Sequence, residues 1–387
     1  MPSYNHISVA VPVLAEKENL PQLLTRLRQQ TISQFTLYVC VNNEEGGYGY
    51  DDNQQCLQML RQVGDMPLVV IDRSSYGLGW SGKRKGVGWA RKLLFERIME
   101  EHDDNELVVS LDADTDFDPG YLEAVLHNMN AYPASSAFAV PYYHPLCGDE
   151  NLARPMLRYE CYMRHYLINM LRIRNPYAFT ALGSAMVFPL WAYRRVGGIT
   201  PLQGGEDFYL MQKFAKTGSV VLHFADEAYR HLAVRPQGRA SARVPFGTGP
   251  AVAGGLDIMA ERYPFYSPAG FDAVKTTFDT FPSLYDTDRE TPMSAFLRQQ
   301  LGTVDLWQPL RRNYRTRQHF IHACAERVDG LRILQYLKNN PDYRMPEEAL
   351  PVCFGDDPLP SLDAYRNRLF AEEMELRRPK FQLQVQH

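Results

Sequence analysis

The stretch LDADTDFDPGYLEAVL, residues 111–126, closes an apolar run with an acidic residue at every second position: Asp112, Asp114, Asp116 and Asp118. Side chains of an extended chain alternate with a period of two, so Asp112 and Asp114 are expected on one side of it. Two carboxylates side by side are hard oxygen donors that suit Mg2+ or Mn2+, and such ions share carboxylates with phosphate oxygens. A divalent ion fastening a diphosphate is the chemistry this spacing permits. Asp118 precedes Pro119 and YLEAVL, which reads as a helix N-cap, and Asp116 reads as a loop carboxylate.

Other clusters could join that chemistry. GGEDFYL places Glu206 and Asp207 after a glycine pair, and SGKRKGVGWARK puts five basic residues in twelve positions, among them Lys85 and Arg91. A local anionic ligand and a solvated basic face explain that run equally well. Farther on, YRHLAVRPQGRASARVPFGTGPAV sets His231, Arg235, Arg239 and Arg243 before a glycine-rich turn. A loop of this composition, folding over a diphosphate, supplies positive charge and backbone N–H groups. His231 is a candidate metal ligand, because imidazole is acceptable to Mn2+; an ordinary hydrogen-bonding histidine is the alternative.

Strands that alternate with helices must position these groups. HISVAVPVL reads as a strand and the segment after it as a helix, with Leu20, Leu23, Leu24 and Leu27 at helical spacing. FTLYVCVNN, MPLVVIDRSS and ELVVSL read as further strands, with helices around NQQCLQMLRQV and VGWARKLLFERIMEEH between them. This alternation predicts a parallel sheet wrapped in helices, whose ligand crevice lies beyond the carboxyl ends of the strands. Asn42–Asn43, Asp72–Arg73 and Asp112–Asp114 all fall at such ends.

The pattern changes after Asp149. LARPMLRYECYMRHYLINMLRIRN predicts an amphipathic helix, with Met163, Tyr166, Leu167, Met170 and Leu171 on one face and Arg158, His165, Arg172 and Arg174 on a basic outer side. TALGSAMVFPLWAYRRVGG predicts a strand followed by a helix, and GGEDFYLMQKFAKTG a loop opening another. Beyond about residue 255 the chain is rich in Tyr, Phe and Pro, then helical around FIHACAERVDGLRILQYLKNN and SLDAYRNRLFAEEMELRR. The expected division is a domain over residues 1–255 and a mainly helical appendage over 256–387.

Composition bounds the function. The chain has 387 residues, 45% of them hydrophobic, enough for more than one minimal domain, and a net charge of −4, which favours no nucleic-acid partner. Six cysteines are scattered without a C-x-x-C pair, so reduced thiols and a cytoplasmic setting are expected rather than zinc or disulfides. No signal-type segment and no long apolar span stands out, so the expectation is a protein that at most lies against a membrane. The basic helix and aromatic tail suit peripheral contact with an anionic membrane, a packed core or a homodimer interface equally well.

Taken together, ISVAVPVLAEKENLPQLLTRLRQQ, LDADTDFDPGYLEAVL and ALGSAMVFPLWAYRRVGGITPLQGGEDFYLMQKF resemble, in order and approximate spacing, the nucleotide-sugar domain of glycosyltransferase family 2. The resemblance covers about residues 5 to 250. It implies a GT-A (Rossmann-like) α/β fold, a mixed and mainly parallel sheet flanked by helices, with the tail as an α-helical C-terminal appendage. It further implies a nucleoside diphosphate sugar held by Mn2+ or Mg2+ and transfer with inversion to a glycan or glycolipid acceptor. On this resemblance Asp112 faces ribose and metal, Asp114 is the principal metal ligand, and Asp207 is the general base, with Glu206 as the adjacent alternative. Pro12, Val13, Glu16, Asn43, Asp72 and Ala113 fall at the donor nucleotide, and Lys85, Arg91, Arg239 and Arg243 near its phosphates or ribose.

Two positions depart from the family pattern. Asn42 and Asn43 stand where many members carry paired aspartates, and an amide donates as well as accepts, which leaves the base open. Ala15 stands before Glu16 where Asn is frequent. A nucleotidyltransferase is the second enzyme reading, against which PVLAEKENLP offers no glycine-rich phosphate loop. A catalytically silent sugar-binding module is the third, against which the acidic residues are intact. Processive polymer synthesis lacks a Q-x-x-R-W segment and membrane spans.

Overall fold

The computed structural model describes residues 3–225, 230–239 and 248–378. Contacts divide the chain into two compact units, one comprising Met1–Met156, Phe179–Gly255 and Arg377–His387, the other Leu157–Ala178 and Leu256–Leu376.

The first unit opens with β1 (Ile7–Val13), α1 (Leu20–Arg28), β2 (Phe35–Asn42), α2 (Tyr50–Arg61), β3 (Leu68–Arg73), α3 (Val87–Glu101) and β4 (Leu107–Ser110). It continues with β5 (Thr115–Asp116), α4 (Tyr121–Ala131), β6 (Ala137–Ala139), the start of α5 (Glu150–Arg172), β7 (Met186–Pro189), α6 (Leu190–Arg195), α7 (Glu206–Thr217), β8 (Val220–Val221) and β9 (Arg235–Pro236). Seven strands form one sheet in the order β3-β2-β1-β4-β7-β6-β8. The first four are parallel, β7 runs antiparallel to both neighbours, and β6 pairs β8 in parallel. Every residue of β1 and of β4 is buried, as strands covered on both faces require. The fold is thus the α/β class the sequence predicts, with a mixed and mainly parallel sheet.

Strand order places the site. From β1 the chain winds outward through β2 and β3, then crosses back to lay β4 on the other side of β1. Loops after β1 and β4 therefore diverge at a topological switch point, where open α/β sheets form their ligand crevice. Pro12, Val13 and Glu16 belong to one of those loops or the strand end before it, and Asp112, Ala113 and Asp114 to the other.

α8 (Thr248–Arg262) breaks at Gly255, whose φ of 71° is left-handed. The second unit then holds α9 (Pro268–Thr280), α10 (Ser294–Leu301), α11 (Gln308–Asn313), α12 (Arg317–Arg327), α13 (Gly330–Asn339) and α14 (Leu359–Leu376). The stretch expected to be helical around residues 320–340 forms two helices, α12 and α13, the second capped by Asp329, which accepts from the Arg332 N–H.

α5 also differs from expectation. Only part of the expected basic outer side forms: Arg172 and Arg174 are exposed, but Arg158 is 1% exposed, and Arg164, which the sequence did not single out, is fully buried. Arg164 lies between Glu160, 2.7 Å away, and Glu373, both fully buried, and Arg158 pairs with Glu347. Buried charge survives only when paired, so these arginines take partners from α14 and from the segment before it. The aromatic residues of the tail are likewise interior: Phe265, Phe271, Phe281, Trp307, Phe320 and Phe354 are all buried. Among the described residues no helix is long and apolar enough to cross a membrane.

Candidate active site

The segment after β4 is a turn, not an extended strand. The Thr115 N–H donates to the Asp112 carbonyl at 3.1 Å, which curls residues 112–115 and sends the two carboxylates to different partners. Asp112 Oδ1 accepts from Arg91 Nη2 at 2.5 Å, while Asp114 Oδ2 stands 3.0 Å from Arg239 Nη2. Ala113, between them, is buried.

The other two aspartates turn elsewhere. β5 pairs with β9, setting Asp116 opposite Arg235, and Arg26 Nε donates to Asp116 at 2.5 Å. Asp118 does not cap a helix: α4 begins at Tyr121 with Gly120 as its cap residue. Asp118 instead accepts from Arg235 Nη2 at 2.7 Å and stands 3.5 Å from His231 Nδ1. The Asp118 carboxylate is thus engaged by Arg235 and His231 rather than by the N–H groups of the helix. The structure sets exposed His231 beside Asp118 and Gly120.

Arg91 organises the site. The buried stripe of α3 runs Gly88, Ala90, Arg91, Leu94, Phe95 and Ile98, and helical period turns the guanidinium inward with the apolar residues. It is 3% exposed and bridges Asp112 to Glu206, with Nη1 donating to Glu206 Oε1. Burial opposes its charge, but Asp112, Glu206 and Asp207 outweigh burial and raise its pKa. Gly183 makes room for it, since a Cβ there would overlap the guanidinium.

α7 opens on Gly205, left-handed at φ 76°, so Glu206 and Asp207 occupy its first turn. Glu206 is 2% exposed and committed to Arg91. Asp207 is half-buried, its Oδ1 accepting from the Phe208 N–H at 2.7 Å. Burial, then the neighbouring charge of Glu206, push its carboxyl up to about 7, against the opposing pull of Arg91 and the Phe208 N–H.

Glu16, buried on the loop after β1, accepts from the same Arg239 that reaches Asp114. Burial works against that guanidinium, and Asp114 and Glu16 together raise its pKa. The loop carries Ala15 at φ 54°, the left-handed region that asparagine tolerates better than alanine, and Asn53 Oδ1 holds it by accepting the Ala15 N–H at 2.9 Å. Pro12 and Val13 are buried at the end of β1. Arg243 lies outside the described residues.

Three further residues expected at the donor are engaged differently. Asn43 is 2% exposed; its Oδ1 accepts from Asn53 Nδ2 at 2.8 Å and from Ser74, and its Nδ2 donates to the Glu44 carbonyl at 2.8 Å. Those bonds make it a brace between the ends of β2 and β3, and neighbouring Asn42 does the same for Val13 and Trp80. Asp72 closes its own turn by accepting from the Ser75 hydroxyl at 2.5 Å and from the Ser75 and Ser74 N–H groups, each at 2.9 Å, which hold its pKa down against burial. Lys85 is exposed and pairs with Glu44 at 3.1 Å.

Sequence reasoning missed the bridging role of Arg91, the space at Gly183 and the support from Asn53. The first had a signal, because Arg91 falls on the apolar stripe of its helix. The others had none, since their partners are far away in sequence.

No protein-family model matches the chain, and no curated protein matches its sequence. Among solved structures it is similar to S. aureus TarS residues 1–349 in complex with UDP-GlcNAc, at 12% identity and a TM-score of 0.42, over 84% of this chain and 91% of that one. It is also similar to the mannosyltransferase PcManGT from Pyrobaculum calidifontis in complex with GDP-Man and Mn2+, at 14% identity and a TM-score of 0.40, over 85% and 89% of the two chains. Mouse xyloside xylosyltransferase 1 is a third, at 11% identity and a TM-score of 0.30, over 63% and 100%. Similarity at these identities and TM-scores assigns no chemistry to this chain, whose own side chains must supply it.

Proposed function

We propose that the chain is an inverting, metal-dependent glycosyltransferase that moves a sugar from a nucleoside diphosphate sugar to an acceptor hydroxyl. The observation that carries this reading is the half-buried carboxyl of Asp207 on the first turn of α7, in one cluster with Arg91, Glu206 and the Asp112–Asp114 turn, where burial and the charge of Glu206 push its pKa up to about 7. A general base works best with a pKa near the operating pH. Glu206 is held by Arg91 and almost fully buried, which leaves Asp207 as the base.

Asp112 and Asp114 are hard donors suited to Mg2+ or Mn2+. Arg239, lying between Asp114 and Glu16, is a cation standing where such an ion fits. A bound ion would neutralise charge building on the departing diphosphate. The chain's own groups do the rest. Arg91 keeps Asp112 and Glu206 in fixed positions, and its charge limits how far the pKa of Asp207 climbs. Asp207 takes the proton of the acceptor hydroxyl as that oxygen bonds to the anomeric carbon, while the bond to the diphosphate breaks on the opposite face. Arg239, once released from Asp114 and Glu16, supplies positive charge to the donor phosphates.

The test is a thermal-shift series with UDP, GDP, CDP and dTDP, each with Mn2+ and with EDTA. One nucleotide should raise the midpoint, and the rise should vanish in EDTA and in Asp114→Ala. Asp207→Asn should keep that shift while release of nucleoside diphosphate from the matching nucleotide sugar collapses. No shift with any nucleotide defeats the reading.

A further inference from the structure

A second constellation lies at the other end of the parallel strands. His6 immediately precedes β1, Glu106 immediately precedes β4 and His102 immediately follows α3, and one ligand atom from each lies within 4.8 Å of the others. His6 Nδ1 is 2.8 Å from Glu106 Oε1, and His102 Nδ1 is 3.4 Å from Glu106 Oε2. The two imidazoles stack at 5.5 Å between centroids, 19° from parallel, and present the same ring nitrogen to one buried carboxylate.

Groups behind these side chains hold them in place. Tyr38 OH donates to Glu101 Oε2 at 2.8 Å and sits 2.9 Å from His102 Nε2. Having given its single proton to Glu101, the phenol oxygen accepts from His102 Nε2–H. In that tautomer His102 Nδ1 presents a lone pair toward Glu106 Oε2, and a positive charge between them, a metal ion or an imidazolium proton, relieves the contact. The separation of 3.4 Å is long for an N–H···O bond but close to the ~3.3 Å between ligand atoms on a tetrahedral Zn2+. Thr36 Oγ1 lies 3.3 Å from His6 Nε2, and Ser8 Oγ donates to Glu106 Oε1 at 2.6 Å. An outer polar partner for each ligand is what orients metal-binding imidazole and carboxylate groups.

We propose that His6 Nδ1, His102 Nδ1 and Glu106 form a site for a borderline divalent ion of the Zn2+ class, with water completing the shell. Two imidazoles and a carboxylate suit Zn2+ better than Mg2+ or Ca2+, which prefer all-oxygen shells. The side chains of His6 and His102 keep 31% and 24% exposure, so solvent reaches the position. The ion replaces the direct His6–Glu106 contact and ties the starts of β1 and β4 to the end of α3. It stabilises the sheet at its amino edge, and it is separate from the carboxylates after β4.

The experiment is zinc titration of the full chain, stripped with EDTA and dialysed, against a chromophoric competitor at pH 7.5. Asp114→Ala is used as the background, so that the acidic turn does not contribute. One Zn2+ per chain is expected, with a higher melting midpoint when bound. His102→Gln and His6→Gln, each in that background, should weaken binding by at least tenfold. Should either variant fold poorly, Co2+ added to the unaltered chain reports the ligands through its visible spectrum, and imidazole–carboxylate coordination is expected. Zinc binding indifferent to both substitutions overturns the proposal. So does a chain that binds no Zn2+ but gains stability as pH falls from 8 to 5, which would assign the bridging charge to an imidazolium proton.

Discussion

Replacing Arg91 by methionine keeps the bulk of the side chain and removes the one charge shared by Asp112 and Glu206. Glu206 is 2% exposed, so water cannot take over the lost partner. Breaking a buried pair by removing one member costs about 3–5 kcal/mol. At ~2–4 °C per kcal/mol, the melting midpoint should fall by roughly 6–20 °C. The sign of the pH dependence comes from Asp207. Its folded pKa is already raised, by burial and then by Glu206, and Arg91 opposes that rise; without Arg91 it climbs further. A carboxyl with a raised folded pKa favours the folded state below its unfolded value, and that advantage is lost as pH rises through the folded value. The deficit of the variant should therefore be largest at pH 8 and shrink toward pH 5, as Asp207 takes up its proton. Circular-dichroism melts of both proteins at pH 5, 6, 7 and 8 measure it. A variant that melts with the parent at every pH, or a deficit independent of pH, refutes the reasoning.

The same cluster sets further expected outcomes. With saturating donor, the rate of transfer should rise between pH 6 and 8 with an apparent midpoint near the value of about 7 set for Asp207, because the base must be ionised to act. Asp207→Asn should remove that step along with roughly 10²–10⁴-fold of the rate, the usual contribution of a general base. Gly183→Ala should lower stability by about 1–3 kcal/mol, since the new methyl meets the guanidinium of Arg91. In an Arg91→Met background the same change should cost much less, a coupling that a double-mutant cycle reads directly.

Local pattern carried much of the architecture. Leu20, Leu23, Leu24 and Leu27 recur at helical spacing and form the buried stripe of α1, and the β-branched runs of β1 and β2 lie within the sheet. Such signals survive folding because each is written within a dozen neighbouring residues. The placement of Asp112 and Asp114 at a strand end was legible for the same reason, as was the parallel character of the first four strands. Partners distant in sequence were not legible. The spacing suggested a shared face for Asp112 and Asp114, but a turn at Asp112 sends one to Arg91 and the other to Arg239, while Arg26 and Arg235 hold Asp116 and Asp118. Arg158 was expected on the outside of its helix, but it and Arg164 are interior, neutralised by carboxylates about two hundred residues away. His6, Glu106 and His102 share no motif and meet only because β1 and β4 are neighbours and α3 ends beside them. The sequence by itself determined the first four strands with the helices between them, the strand that became β7, and which acidic residues would end a strand. Tertiary structure alone decided which charge faces which, because a buried ionised group is tolerated only where the fold delivers its counter-charge.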